Sequence, residues 1–187
     1  MLEPNATELP QDAATRDVPP RLTFRVTVRT TATPEAVYEV LADLRTHRTW
    51  AGEDAPRKDF RLLTLEAPDR PAIAGDRFSS TGANSVGSFS DRSVVMVADP
   101  GRRFGHDTEA TLVRKHRPTW NARFTHRYTI RPTDDGAAID YVGEVRPRNY
   151  TPFWLFPGMG PGTRVMVQRM TRGNMENLAR LAEGLAG

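Results

Sequence analysis

The stretch from residue 120 to 131 alternates apolar and polar side chains and contains one residue that could transfer a proton. Its even positions are apolar or aromatic with a single exception: Trp120, Ala122, Phe124, His126, Tyr128 and Ile130. Successive side chains of a β-strand point to opposite sides of the sheet, so this face is predicted to be buried and to carry His126 with it. Histidine has an ordinary pKa of about 6.5, which makes His126 a candidate general acid or base for enolisation or dehydration.

Tyr128 lies two residues further along the same face and is the second candidate for chemistry. Its hydroxyl could orient a carbonyl group of a ligand. A structural alternative applies to both residues, because buried polar groups usually have a protein partner. In that case His126 is a neutral imidazole hydrogen-bonded to a neighbour, and Tyr128 anchors the strand.

The same alternation predicts further polar side chains on the inner faces of two other strands. These faces would carry Phe104, His106 and Thr108 on one strand, and Phe89, Asp91 and Ser93 on the other. A single β-bulge would invert either assignment, because an extra residue moves every later side chain to the opposite face.

Metal and cofactor motifs are not evident in the sequence. The four histidines, at positions 47, 106, 116 and 126, have neither metal-ligand spacing nor an adjacent carboxylate motif, and cysteine is absent. The glycines form no phosphate-binding loop between a strand and a helix, and no serine lies in a nucleophile elbow. We therefore expect no metal and no cofactor.

The composition is that of one domain in a chain of 187 residues with a formal net charge of +3. Eight basic residues against two acidic ones between Arg102 and Arg131 could form a phosphate-binding surface. We favour scattered strand arginines on a solvated face, and hence no nucleic-acid partner. No apolar run approaches the length of a membrane span. We expect a cytoplasmic protein without stable membrane insertion.

The chain is predicted to begin with a flexible tail, residues 1–20, followed by a folded domain, residues 21–187. Alternating patterns predict seven strands at 21–30, 60–65, 76–81, 86–98, 102–113, 120–131 and 138–145. Thr33-Pro34-Glu35 is a helix start, and this first helix should end near Leu44. A second short helix or turn should carry His47 and Trp50. Because the later strands are consecutive, the sheet should be antiparallel.

A long amphipathic helix is predicted from Thr163 to Leu185. Its buried face should contain the residues that recur at steps of three and four: Val167, Met170, Asn174, Leu178, Leu181 and Leu185. The charged residues Arg169, Arg172, Glu176, Arg180 and Glu183 should face solvent. Gly173 and Asn174 interrupt the apolar stripe. They indicate either a packing notch with a hydrogen-bonded core amide, or a ligand cavity between helix and sheet.

The segment from Asn149 to Gly162 combines aromatic residues, including Trp154, with several prolines and glycines. Proline and glycine disfavour a regular helix or strand, so the aromatic residues should cover a surface as a loop. This loop could cap the core, form a lid, touch a membrane or mediate a homodimer contact. We favour the lid or the core cap, because no basic cluster flanks the loop.

The order of these elements resembles the START-like superfamily, in particular its SRPBCC branch of polyketide cyclase/dehydrase and lipid-transport proteins. The residues that support the resemblance are the capped helix Thr33-Pro34-Glu35-Ala36-Val37-Tyr38, the segment Leu41-Ala42-Asp43-Leu44 leading to Trp50, and the turn Asp99-Pro100-Gly101. The resemblance implies an α+β helix-grip fold, in which a curved seven-stranded antiparallel sheet wraps around the C-terminal helix. Two short helices would follow the first strand.

In that fold a cavity between sheet and helix binds apolar molecules such as lipids or polyketides. The predicted ligand-binding residues are Trp120, Phe124, Phe78, Met170, Asn174, Phe104 and Trp154. Three functions stay open: a carrier of a hydrophobic small molecule, a cofactor-independent cyclase or dehydratase that uses His126, and an interaction domain with a filled core. The sequence slightly favours the carrier, because no acid is evidently paired with His126.

Overall fold

The computed structural model describes residues 22–53, 61–84, 87–114, 118–148 and 161–185. In these ranges the chain forms seven strands, two α-helices and two short helical turns. The strands are β1 (Leu22–Thr30), β2 (Arg61–Glu66), β3 (Arg77–Asn84), β4 (Gly87–Asp99), β5 (Arg103–Arg114), β6 (Trp120–Thr133) and β7 (Gly136–Pro147). The helices are α1 (Pro34–Ala42) and α2 (Pro161–Leu185). The predicted tail, residues 1–20, lies outside the described ranges.

All seven strands form one curved antiparallel sheet in the order β1-β7-β6-β5-β4-β3-β2. Strands β2 to β7 follow one another as a meander, and β1 pairs with β7 at the far edge. The predicted helix-grip fold is therefore confirmed. Because β1 is joined to β7 and not to β2, the first helix and the two turns cross from one edge of the sheet to the other.

Helix α1 begins where the sequence predicts. The Ala36 backbone N–H donates to Thr33 Oγ1 at 3.2 Å, which satisfies one of the free N–H groups of the first turn. The helix ends at Ala42, two residues before the predicted end, because Asp43 accepts from the Arg45 backbone N–H and starts a new turn. A 3₁₀ turn (Leu44–Thr46) and a π-helical turn (Thr49–Glu53) follow, which we call the helical turns 44–53.

Helix α2 packs across β1, α1 and the π-helical turn. Its buried residues are Met175, Asn177, Leu178, Ala179 and Ala182. All five residues predicted to face solvent are exposed. The predicted burial of Leu185 is wrong, since this side chain is 59% exposed. β1 ends at Thr30, whose hydroxyl contacts Glu183, so Leu185 projects beyond the surface on which the helix lies.

The strand alternation places the predicted faces correctly. Ala122, Tyr128 and Ile130 of β6 are buried in the core together with residues of β1, β7 and both helices. The pairing of β4 with β5 contains one irregularity, between Val95 and Val97. This irregularity follows Phe89, Asp91 and Ser93 in the chain, so it does not invert the orientation of these three side chains.

Candidate functional site

A pocket of about 380 Å³ lies on the inner side of strands β2 to β6, beside the helical turns 44–53. Most of its described wall is apolar: Ala51, Leu62, Leu65, Phe78, Phe89, Ala110, Leu112, Trp120 and Phe124. The polar wall residues are His47, Ser80, Asp91, Ser93, His106, Thr108, Thr111 and His126. A mostly apolar pocket of this volume with a few placed polar groups is typical of small-molecule sites.

Strand register brings the polar residues together. His106 of β5 lies directly opposite His126 of β6, and Thr108 lies between Ser93 of β4 and Phe124 of β6. The hydroxyls of Ser93 and Thr108 are hydrogen-bonded to each other at 2.8 Å. This pair is internally satisfied, so the histidines and Asp91 are the polar wall groups most available to a ligand.

His126 is oriented by Tyr141 of β7. Its Nδ1 lies 2.8 Å from the Tyr141 hydroxyl, and its ring stacks on His106 with centroids 4.4 Å apart. Burial lowers the pKa of His126 to about 4, an effect that the carboxylate of Asp107 opposes and the Arg127 guanidinium reinforces. The imidazole is therefore neutral at pH 7 and can either donate or accept a proton.

His47 and His106 complete a cluster of three histidines. The ring centroid of His106 lies 5.9 Å from that of His47, and His47 in turn packs against Trp50 at 4.5 Å. Both nitrogens of His47 and the Nδ1 of His106 are buried without a hydrogen-bond partner. The backbone of Leu44 and the carboxylate of Asp43 oppose part of the fall in the pKa of His47.

The pKa values of these two histidines also fall because of burial. The pKa of His47 is lowered to about 4, with a further contribution from repulsion by His126. The pKa of His106 lies well below its usual value for the same reasons. Three neutral imidazoles thus share one end of the pocket at pH 7.

Asp91 lies on the inner face of β4 and also lines the pocket. Burial raises the pKa of its carboxyl group to about 6, and a hydrogen bond from Ser80 acts in the opposite direction. That bond is long, with the Ser80 Oγ 3.5 Å from Asp91 Oδ2. At pH 7 the carboxyl group is mostly ionised but weakly solvated.

Only some of the predicted site residues line the pocket. Phe78, Trp120, Phe124 and His126 line the pocket. Phe104 and Tyr128 do not, because they are buried in the core beside it. Burial raises the pKa of Tyr128, so its hydroxyl stays protonated.

Met170 and Asn174 of α2 are also not among the residues that line the pocket, although the sequence predicted a cavity against this helix. The described wall comes from the sheet and the helical turns, while α2 packs over the β1 side. Asn174 Oδ1 is buried without a hydrogen-bond partner. Trp154 and most of the predicted aromatic loop lie outside the described residues.

Sequence reasoning did not bring the three histidines together. Alternation put His106 and Asp91 on the correct faces, but it could not show that His47, 59 residues earlier in the chain than His106, packs against His106. In the described ranges, no group of three or more His, Asp or Glu side chains is arranged to hold a metal ion. None of the helices in these ranges has the length and apolar character needed to cross a membrane.

Several solved structures share this fold at low sequence identity. Protein CV1439 from Chromobacterium violaceum is 17% identical, with a TM-score of 0.58 over 88% of this chain and 99% of its own. Mll3558 from Rhizobium loti is 16% identical, with a TM-score of 0.62 over 86% and 96% of the two chains. Ara h 8.0201 is 9% identical, with a TM-score of 0.59 over 87% and 98%. Such similarity shows the fold alone.

No curated protein matches the sequence. A family model does, and it spans nearly all of the described elements, from residue 21 before β1 to residue 183 in the last turn of α2. The sheet, the terminal helix and the pocket on the inner side of the sheet agree with this match. The chain therefore belongs to the family described as "Polyketide cyclase / dehydrase and lipid transport".

Proposed function

We propose that the protein binds a hydrophobic small molecule in the pocket of β2 to β6. The observation that carries this proposal is the pocket itself, about 380 Å³ in volume with a largely aromatic and aliphatic wall. Apolar surface that a ligand removes from water contributes roughly 25 cal/mol per Å². The wall therefore supplies affinity, and its few polar groups supply orientation.

The histidine end of the pocket favours a ligand with at least one polar group. Buried donors and acceptors without a partner destabilise a protein by about 1–3 kcal/mol each. His47 and His106 have three such nitrogens. A ligand hydroxyl or carbonyl at this end would satisfy one of them, so we expect the ligand to carry a polar group that reaches the histidines.

Binding is tested with the neutral fluorophore N-phenyl-1-naphthylamine, whose emission rises in an apolar site. Wild type is expected to bind one equivalent. Ala110 lies in the pocket wall, whereas Val113 on the same strand is 52% exposed and does not line the pocket. Ala110→Phe should fill the pocket and weaken binding at least tenfold, while Val113→Phe should leave it unchanged. Equal binding by the two variants would contradict the proposal.

A second function, acid–base catalysis of the cyclase or dehydratase type, is favoured by the geometry of His126. Tyr141 fixes one nitrogen of a neutral imidazole on the pocket wall, as a general base requires. In such a reaction His126 would remove a proton from a carbon next to a ketone and return one to the enolate. No acid among the described residues pairs with His126, so this remains the second candidate.

The catalytic function is tested by hydrogen–deuterium exchange of 2-tetralone in D₂O, followed by NMR. Wild type is expected to accelerate exchange at the carbon next to the carbonyl. His126→Gln should remove most of the acceleration while fluorophore binding changes little, because a general base acts in the transition state. If wild type binds the fluorophore normally but exchange proceeds at the uncatalysed rate, the catalytic function is contradicted and only the carrier function remains.

A further inference from the structure

Asp91 is the one carboxylate that lines the pocket in the described part of the chain. It lies on the inner face of β4, paired in register with Ser80 of β3 and Ala110 of β5. Its neighbours on the same face of β4 are Phe89 and Ser93. The surroundings of this charged group are thus small, aromatic or hydroxylic.

No cation of the described residues accompanies Asp91. Ser80 provides its hydrogen bond, at 3.5 Å, beyond the usual range of about 2.5–3.0 Å for a hydroxyl donor. Other aspartates of the sheet have close counterions: Asp107 lies 2.6 Å from Arg123, and Asp140 lies 2.6 Å from Arg131. Asp91 differs from these aspartates because its carboxylate faces an open cavity.

The other titratable groups of the pocket wall do not compensate for this charge. They are His47, His106 and His126, which burial keeps neutral at pH 7. No lysine or arginine is among the described wall residues. The pocket wall therefore carries one partly buried negative charge without a cation among the described wall residues, and a partly desolvated charge of this kind is stabilised by a paired cation.

We propose that the ligand is an apolar amine whose protonated nitrogen binds the carboxylate of Asp91. This inference rests on the proposed binding function and names its ligand class. The ammonium group would supply the counterion that Asp91 lacks among the described residues. The apolar part of the ligand would contact Phe89 and Leu112. A neutral alcohol could donate one hydrogen bond but would leave the charge uncompensated. A carboxylate ligand would be repelled.

The ligand class is tested with three probes that share one ring system: 1-naphthylmethylamine, 1-naphthalenemethanol and 1-naphthoic acid. Their dissociation constants are measured by calorimetry at pH 7.5. The amine is expected to bind roughly tenfold or more tightly than the alcohol, because hydrogen bonds between charged groups are the stronger ones. The acid should bind most weakly. At pH 5 the preference for the amine should shrink, because Asp91 takes up a proton while His47 and His126 are still mostly neutral.

Asp91→Asn keeps the shape of the side chain and removes its charge. In this variant the amine should lose its preference and bind only about as tightly as the alcohol. Asp140→Asn is the matched control, because it removes a carboxylate charge from the outer face of the sheet. This variant should still bind the amine more tightly than the alcohol. Equal binding of amine and alcohol to wild type, or a preference that survives Asp91→Asn, would overturn the amine assignment alone. Failure of all three probes to bind would overturn the binding function as well.

Discussion

At the scale of single residues, the contact between His126 and Tyr141 decides what the pocket can do. The tyrosine hydroxyl holds Nδ1 at 2.8 Å and so leaves the other ring nitrogen for a ligand. Tyr141 is itself buried, which raises its pKa well above the usual value and keeps its hydroxyl protonated. One residue of the core thus sets the orientation of one residue of the pocket.

Tyr141→Phe should lower the free energy of unfolding by about 1–3 kcal/mol, because it leaves His126 Nδ1 buried without its partner. Urea denaturation at pH 7 measures the change. Tyr38→Phe is the matched control, since Tyr38 packs edge-on against Phe104 and its loss of a hydroxyl should change stability by less than about 0.5 kcal/mol. If both variants lose the same stability, the pairing of His126 with Tyr141 contributes nothing specific.

At the scale of elements, the position of α2 explains where the pocket lies. The helix packs on β1 and α1, at one edge of the sheet, whereas the described wall of the pocket comes from the sheet and the helical turns 44–53. Asn177 fastens the helix to these turns through a hydrogen bond from its Nδ2 to the Trp50 carbonyl, 3.3 Å away. The turns in turn present His47 to the pocket.

Two leucines on the same face of α2 test this placement. Leu178 is fully buried, and Leu178→Ala should lower the free energy of unfolding by about 2–5 kcal/mol through lost contacts and a cavity. Leu185 is 59% exposed, so Leu185→Ala should change the free energy of unfolding by less than about 0.5 kcal/mol. Thermal or chemical denaturation compares the two. A large loss of stability in Leu185→Ala would contradict this placement, because it would mean that Leu185 is buried in the folded protein.

At the scale of the whole molecule, the buried histidines make stability depend on pH. In the unfolded chain they take up protons below about pH 6.5, whereas His47 and His126 in the folded protein resist protonation until about pH 4. The unfolded state therefore binds more protons as the pH falls, and folding loses free energy. Asp91 acts in the opposite direction, because its folded pKa of about 6 lies above the ordinary value.

Unfolding free energies at pH 7 and pH 5 should show the net effect of three histidines against one carboxyl group. Each of His47 and His126 should contribute a loss on the order of 1–2 kcal/mol at pH 5, and wild type should be clearly less stable there. Asp91→Asn removes the opposing group, so its stability should fall more steeply over the same interval. Stability that is constant or rises toward pH 5 would show that the histidines are accessible to protons in the folded state.

The sequence by itself determined the strands, the antiparallel order and the solvent-facing side of α2, because each of these follows from local alternation or helical spacing. It also placed His106, His126 and Asp91 on inner faces, since side-chain direction in a strand depends only on parity as long as no bulge intervenes. The start of α1 followed from its capping threonine, Thr33, and its end was predicted within two residues.

Tertiary structure alone decided which inner-face residues meet and where open space remains. Phe104 and Tyr128 share the inner faces of the pocket residues, yet they fill the core, because α1 packs over their part of the sheet. The exposure of Leu185 depends on where β1 ends, and the spacing of apolar residues in α2 contains no information about that position. His47 joins the other histidines only because the helical turns cross the sheet, a contact between segments far apart in the chain that no local spacing encodes.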